Sequence, residues 1–158
     1  MHIKVRREVV RCARCKKENE FFYLSDFSYG KRLVLFYNGK KYAYINLIED
    51  SIYNDFIDKV KAILNTHHKQ ISDNELQDIV NHVFGVTCDK IQGSDVDFVK
   101  NHKKCIYCST EDFEDLMVEP EKIIYIDVPG VTHEVWKNMC EEKRIQLIAD
   151  SLKQNGFI

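Results

Sequence analysis

Apolar and polar positions alternate along the first 48 residues and then change period. Residues 3–10 (Ile-Lys-Val-Arg-Arg-Glu-Val-Val) alternate in part and are rich in β-branched side chains, which predicts a strand. Phe21-Phe22-Tyr23-Leu24, Arg32–Tyr37 and Lys40–Ile48 continue that character with aromatic and β-branched residues. Asn38-Gly39 separates the last two runs, and both central residues of a type I′ turn need positive φ, so this dipeptide predicts a hairpin. Residues 1–48 are expected to form an antiparallel β-meander, with Tyr37, Tyr42 and Tyr44 serving sheet pairing and core packing rather than base stacking.

From Asp50 the period becomes helical. Ile52, Phe56, Ile57, Val60, Ile63 and Leu64 recur on one face, with Asp50 or Ser51 as cap and an end near Asn65-Thr66. His67 and His68 follow at the C-terminal end, where the helix dipole favours positive charge. Ser72-Asp73-Asn74-Glu75 has the form of a capping box and launches Leu76, Ile79, Val80, Val83 and Phe84, with Gly85 as the stop. Residues 86–91 read as a short strand, Gln92-Gly93-Ser94 as a turn, and 95–101 as one or two helical turns. Thr110 is placed to cap a short helix over 111–117. Lys122–Val128 is the clearest late strand, closed by Pro129-Gly130. Thr132 is expected to cap a helix over 133–139. A break at Cys140 restarts a helix whose buried stripe is Ile145, Ile148, Ala149 and Leu152, with Gly156 as its stop. No repeat is visible and the chain has two prolines, so one α+β domain over 1–158 is expected, its helices packed on the meander.

Composition leaves this picture intact. A chain of 158 residues that is 44% hydrophobic and 30% charged has the balance of a globular protein. No apolar run approaches the roughly 20 residues that span a bilayer, and the first residues hold no signal-like apolar segment, so a cytoplasmic location is expected.

The six cysteines change it. Cys12-Ala13-Arg14-Cys15 and Cys105-Ile106-Tyr107-Cys108 each put two thiols at i and i+3 on a turn, and two such turns supply the four soft ligands that structural zinc prefers. A redox CxxC would follow a strand and open a helix, whereas these pairs lie in basic, turn-like segments. Eighty-nine residues separate Cys15 from Cys105, far more than in a compact ribbon, so the metal is expected to tie the N-terminal arm to a late loop. Four cysteine ligands leave no open position for a catalytic water, so the Zn²⁺ is read as structural. His102 stands three residues before Cys105 and is read as a surface residue; Cys88 and Cys140 are read as small apolar or helix-start residues.

Fingerprints of catalysis are missing. The chain has no G-x-G-x-x-G, no G-x-x-x-x-G-K-[ST] and no G-x-S-x-G; His133-Glu134 begins an H-E-x-x-H pattern, but position 137 is Lys. Neither cysteine pair follows Pro, as a zinc deaminase would require. A non-catalytic binding protein is therefore expected, and charge suggests two partner classes. Residues 1–41 carry eleven Lys or Arg against four Asp or Glu, while 42–158 carry twelve against twenty-one, so the net −2 divides into +7 and −9. Arg11, Arg14, Lys16 and Lys17 flank the first cysteine pair and Lys103 and Lys104 precede the second. They would converge into a basic pole, either compensating the thiolates or meeting nucleic-acid phosphates. Glu111, Asp112, Glu114, Asp115, Glu119 and Glu121 place six carboxylates in eleven residues with no Lys or Arg, an acidic surface suited to a basic protein.

The segment Ile123–Val131 (Ile-Ile-Tyr-Ile-Asp-Val-Pro-Gly-Val), the helical tail Thr132–Asn155 and the acidic stretch 111–121 resemble the small α+β immunity proteins of bacterial polymorphic-toxin and contact-dependent inhibition systems. That resemblance implies an antitoxin that binds a cognate protein toxin, possible nucleases included, through the acidic patch. Nucleic-acid binding by the basic pole is the alternative.

Overall fold

The computed structural model describes residues 1–26, 29–37, 39–99 and 103–158. Its six strands are β1 (His2–Cys12), β2 (Glu18–Leu24), β3 (Lys31–Phe36), β4 (Lys41–Asn46), β5 (Phe113–Met117) and β6 (Lys122–Asp127). Its helices are α1 (Ser51–Thr66), α2 (Asp73–Val83), α3 (Glu134–Lys137) and α4 (Glu141–Gln154), with a 3₁₀ turn over Phe84–Thr87.

The N-terminal antiparallel meander divides between two sheets. β1 is the centre of the larger one: β2 pairs along one side, and β5 and β6 share the other, both antiparallel. An irregularity between Val10 and Cys12 shifts the register where β5 joins. β3 and β4 form a separate two-stranded sheet that lies between the larger sheet and the helices. Its alternation explains why Leu33-Val34-Leu35-Phe36 is apolar throughout. Val34, Phe36, Ala43 and Ile45 face a core shared with α1, α2 and α4, whereas Leu33, Tyr42 and Tyr44 pack against Ile3, Val5 and Val128 of the other core. Phe84 is fully buried in the helical core, where its ring meets those of Tyr53, Phe56 and Phe98 edge-on.

Local chemistry accounts for the helix starts. Asp50 caps α1 by accepting from the N–H groups of Ile52 and Tyr53, and Ser72 and Glu75 complete a reciprocal capping box on α2. Tyr37, just before the expected Asn38-Gly39 turn, and Gly39 within it have φ of 52° and 81°; Asn38 lies outside the described residues.

Five expectations are corrected. The helix expected over 133–139 with Thr132 as cap is the single turn α3, and Asp89 rather than Thr132 accepts from its first N–H groups. Residues 86–91 are not a strand, because α2 runs into the 3₁₀ turn, where an added Cβ on Gly85 would lie 2.7 Å from the Val96 carbonyl oxygen. Gly85 thus permits a close backbone approach. The chain expected to be helical over 95–101 is not helical over 95–99: Asp97 exchanges backbone hydrogen bonds with Leu35 and the chain bends at Phe98 and Val99, while 100 and 101 lie outside the described residues. The acidic segment expected to be a helix over 111–117 contains β5, because pairing with the free side of β1 overrides its helix-forming composition. Ile145 is exposed, and the buried stripe of α4 is Ile148, Ser151 and Leu152. Among the described residues, no helix is long and apolar enough to cross a membrane.

Candidate metal centre

β1 ends at Cys12, and the chain turns through Cys15 into β2. The N–H of Lys16 donates to the Cys12 carbonyl (3.0 Å), the N–H of Cys12 donates to the Lys17 carbonyl (2.9 Å), and Lys16 has φ of 61°. The second pair repeats the turn. The N–H of Ser109 donates to the Cys105 carbonyl (2.8 Å), that of Cys105 to the Thr110 carbonyl (2.9 Å), and Ser109 has φ of 62°. Two segments that share only CxxC have folded into the same knuckle, each with a left-handed residue after its second cysteine.

The knuckles face each other. All four Sγ atoms lie within 4.8 Å of one another, with Cys12 to Cys108 at 3.5 Å and Cys15 to Cys105 at 3.6 Å. Metal–thiolate bonds of about 2.3 Å in a tetrahedron imply sulfur–sulfur edges of about 3.8 Å, whereas a disulfide would require about 2.05 Å. These cysteines are unbridged and are positioned to hold a metal ion. Cys12 and Cys105 are buried, and Cys15 and Cys108 partly so.

Donors around the sulfurs favour thiolates. The N–H of Cys15 reaches Cys12 Sγ at 3.3 Å, and Asn19 Nδ2 reaches Cys105 Sγ at 3.4 Å. Burial opposes ionisation of Cys105, but the amides of Cys108 and Tyr107 and the Asn19 side chain outweigh it and bring its pKa down to about 6. Burial likewise opposes ionisation of Cys12, and the Cys15 and Arg14 amides again prevail. At Cys15 the Lys17 amide favours the thiolate, yet burial and the other three sulfurs push it up to about 11. Four thiols this close do not all ionise together unless a cation balances them.

Asn19 escaped the sequence reading. It is 2% exposed, lies on β2 opposite Val10, and links both knuckles, since Oδ1 accepts from the Ile106 N–H (2.9 Å) while Nδ2 also donates to the Lys17 carbonyl (3.2 Å). An asparagine amid strand-forming residues is the one local signal it offered. The first knuckle is further tied to the chain entering β5, through the Ala13 N–H and the Asp112 carbonyl (3.0 Å).

The acidic and basic runs of the sequence meet each other here. Glu114 pairs with Lys16 at 3.2 Å and Arg11 at 3.9 Å, Glu121 with Arg6 at 3.4 Å, Glu111 with Lys104 at 3.7 Å, and Glu119 with Arg7. Lys103 pairs with Glu8 at 3.0 Å and lies over the Phe21 and Phe113 rings, and the Lys17 ammonium lies 4.6 Å from the Tyr107 ring centroid. Among the described residues, Arg14, Asp112 and Asp115 make no ion pair. Four cations of the basic half, Arg6, Arg7, Arg11 and Lys16, thus pair with three carboxylates of the acidic run, Glu114, Glu119 and Glu121.

The remaining candidates stand apart. His67 and His68 are exposed at the end of α1, Cys88 is half-buried against the helical core, and Cys140 is the exposed residue before α4. His102 lies outside the described residues. A second polar centre had no signature in the sequence. His133 is 4% exposed, with Nε2 2.9 Å from Asp50 Oδ2 and Nδ1 2.9 Å from the Thr87 carbonyl oxygen. Both ring nitrogens face acceptors, so both carry protons. Burial opposes that charge, but the Asp50 carboxylate, with Cys88 and the Thr87 carbonyl, pushes the pKa up to about 10. This pair locks the start of α1 to the segment before α3, which Asp89 caps by accepting from the Glu134 and Val135 N–H groups. Comparison with known protein families, with curated proteins and with solved structures finds no match to this chain.

Proposed function

We propose that this chain is a zinc-stabilised, non-catalytic binding protein of the immunity or antitoxin type, which inhibits a basic protein partner such as a nuclease toxin. Four cysteine donors at these separations suit zinc and leave it no open coordination position, so the metal serves the fold. The observation that carries the partner reading is the surface of β5 and β6. Leu116 is 84% exposed, Ile123 63% and Tyr125 60%, with Met117 and Val118 also exposed. Large apolar side chains at that exposure mark an interaction surface. Asp112 and Asp115 adjoin them, and Asp127 closes the far end against His2. Exposed apolar side chains with carboxylates beside them suit a basic protein surface, with charge steering the encounter and the apolar groups holding it. The basic pole offers nucleic acid less, because Arg11, Lys16, Lys103 and Lys104 all pair with carboxylates.

The test is co-expression with the toxin domain encoded beside this gene, read as cell survival and as a complex by calorimetry. Leu116→Arg and Tyr125→Ala should each weaken the complex by about tenfold or more while zinc content is unchanged. Undiminished protection by both variants, or the absence of any adjacent toxin, would overturn the reading.

A further inference from the structure

The larger sheet has a second free side. Backbone groups in an antiparallel pair point alternately toward and away from the partner strand. The N–H of Ser25 donates to the Lys4 carbonyl at 3.3 Å, so the pairs Ser25–Lys4, Tyr23–Arg6 and Phe21–Glu8 face each other, and the backbone groups of Glu20, Phe22 and Leu24 point away from β1. No strand covers that side of β2 among the described residues. The Phe22 N–H meets only the hydroxyl of Tyr42, at a long 3.4 Å.

This edge borders a groove of about 520 Å³. Phe22, Leu24, Leu33, Leu35 and Tyr42 give it apolar walls. Four cations line it, Lys31 and Arg32 from β3 and Lys103 and Lys104 from the second knuckle, and none of the described lining residues is acidic. Lys103 and Lys104 are partly balanced by Glu8 and Glu111 outside the groove. Lys31 makes no ion pair among the described residues, and the polar partner of Arg32 is the neutral Asn81, at 3.2 Å. An open strand edge, apolar pockets and unbalanced positive charge therefore coincide.

We infer that this groove takes an acidic, extended segment of another protein, which adds to the free edge of β2 as a further strand. Main-chain hydrogen bonds to Glu20, Phe22 and Leu24 would hold it in register, its apolar side chains would enter between β2 and the β3–β4 sheet, and its carboxylates would meet Lys31 and Arg32. The open main-chain edge is what favours a peptide over a nucleic-acid strand, which has no use for alternating amides and carbonyls. The site lies on the opposite side of β1 from β5 and β6, so it is separate from the surface proposed above.

The test uses the full chain with its metal and a short fluorescent peptide of alternating Glu and Val. Binding is read by anisotropy and by backbone amide shifts. Controls are the same peptide with Lys for Glu, one N-methylated at alternate residues to block the ladder, and a short oligothymidylate. The acidic peptide should bind saturably and move the Phe22 and Leu24 amides. The Lys31→Glu and Arg32→Glu pair should weaken it by about tenfold or more with the rest of the amide spectrum unchanged, and N-methylation should do the same. No saturable binding, equal binding of the N-methylated peptide, or tighter binding of oligothymidylate would overturn the inference. Loss of peptide binding in the Leu116→Arg variant, with the groove intact, would contradict the separateness of the two surfaces.

Discussion

Replacing Asp50 by asparagine separates two tasks that one carboxylate performs. Oδ1 accepts from the N–H groups of Ile52 (2.9 Å) and Tyr53 (3.1 Å) and so caps α1, while Oδ2 accepts from His133 Nε2 at 2.9 Å. Asparagine keeps a carbonyl oxygen for the cap and is itself a preferred cap residue, but it cannot balance an imidazolium. His133 titrates near 6.5 when unfolded and near 10 in the fold. Because the folded value is the higher one, the pair's contribution is fully present below pH 6.5 and is lost as pH rises through about 10. The Asp50 pKa is lowered in the fold despite its burial, by the hydrogen bond and charge of His133. Its share is therefore present above the ordinary carboxylate range and is lost only in acid. Removing one partner of a buried ion pair costs about 3–5 kcal/mol, and the low end applies because His133 can drop its charge and keep the Thr87 contact. Asp50→Asn should therefore destabilise by about 3 kcal/mol in mildly acidic buffer, with the penalty shrinking as pH approaches 10. Asp50→Ala should add about 1 kcal/mol at every pH for the lost cap. Urea unfolding of the three proteins across that range measures this, with the single tryptophan, Trp136, as a buried fluorescent reporter. A penalty that stays constant with pH, or one below about 0.5 kcal/mol in mild acid, would refute the reasoning.

Asn19→Ala removes an amide donor from the Cys105 sulfur and should lower metal affinity by about 10- to 100-fold in chelator competition; an unchanged affinity would deny Asn19 its role. Phe84→Ala empties the centre of the helical core and should cost about 3–5 kcal/mol in urea unfolding, with a cost below about 2 counting against the packing described. Gly85→Ala forces a Cβ toward the Val96 carbonyl oxygen and should destabilise by about 1–3 kcal/mol, whereas a neutral effect would show that the approach is not close.

What the sequence made legible was local. The caps of α1 and α2 are side chain to backbone within three residues, and the strands β1 to β4 and β6 follow from β-branched and aromatic runs. The cysteine spacing pointed directly to the ligand set, because CxxC fixes each knuckle and four thiols suffice for one ion. Illegible were the features that depend on distant partners. The segment 113–117 is a strand only because β1 offers it a side, and Glu114 is paired because that strand lies beside Arg11 and Lys16, while Glu111, Glu119 and Glu121 meet Lys104, Arg7 and Arg6. Asn19 and Ile106 lie far apart along the chain, as do Asp50 and His133, so no local pattern could announce either contact. The charge split, read along the chain as two opposed surfaces, is in space closed in part by ion pairs between the two halves around β1.

The geometry of the two knuckles is that of a pair sharing one metal ion. Metal content per chain of the purified protein, by elemental mass spectrometry, tests it most directly, with Cys108→Ser measured alongside. One zinc ion per chain is expected, lost in the variant together with the protection of the β1–β5 amides from exchange. Folded protein with four free thiols, no stoichiometric metal and intact β1–β5 protection would contradict it.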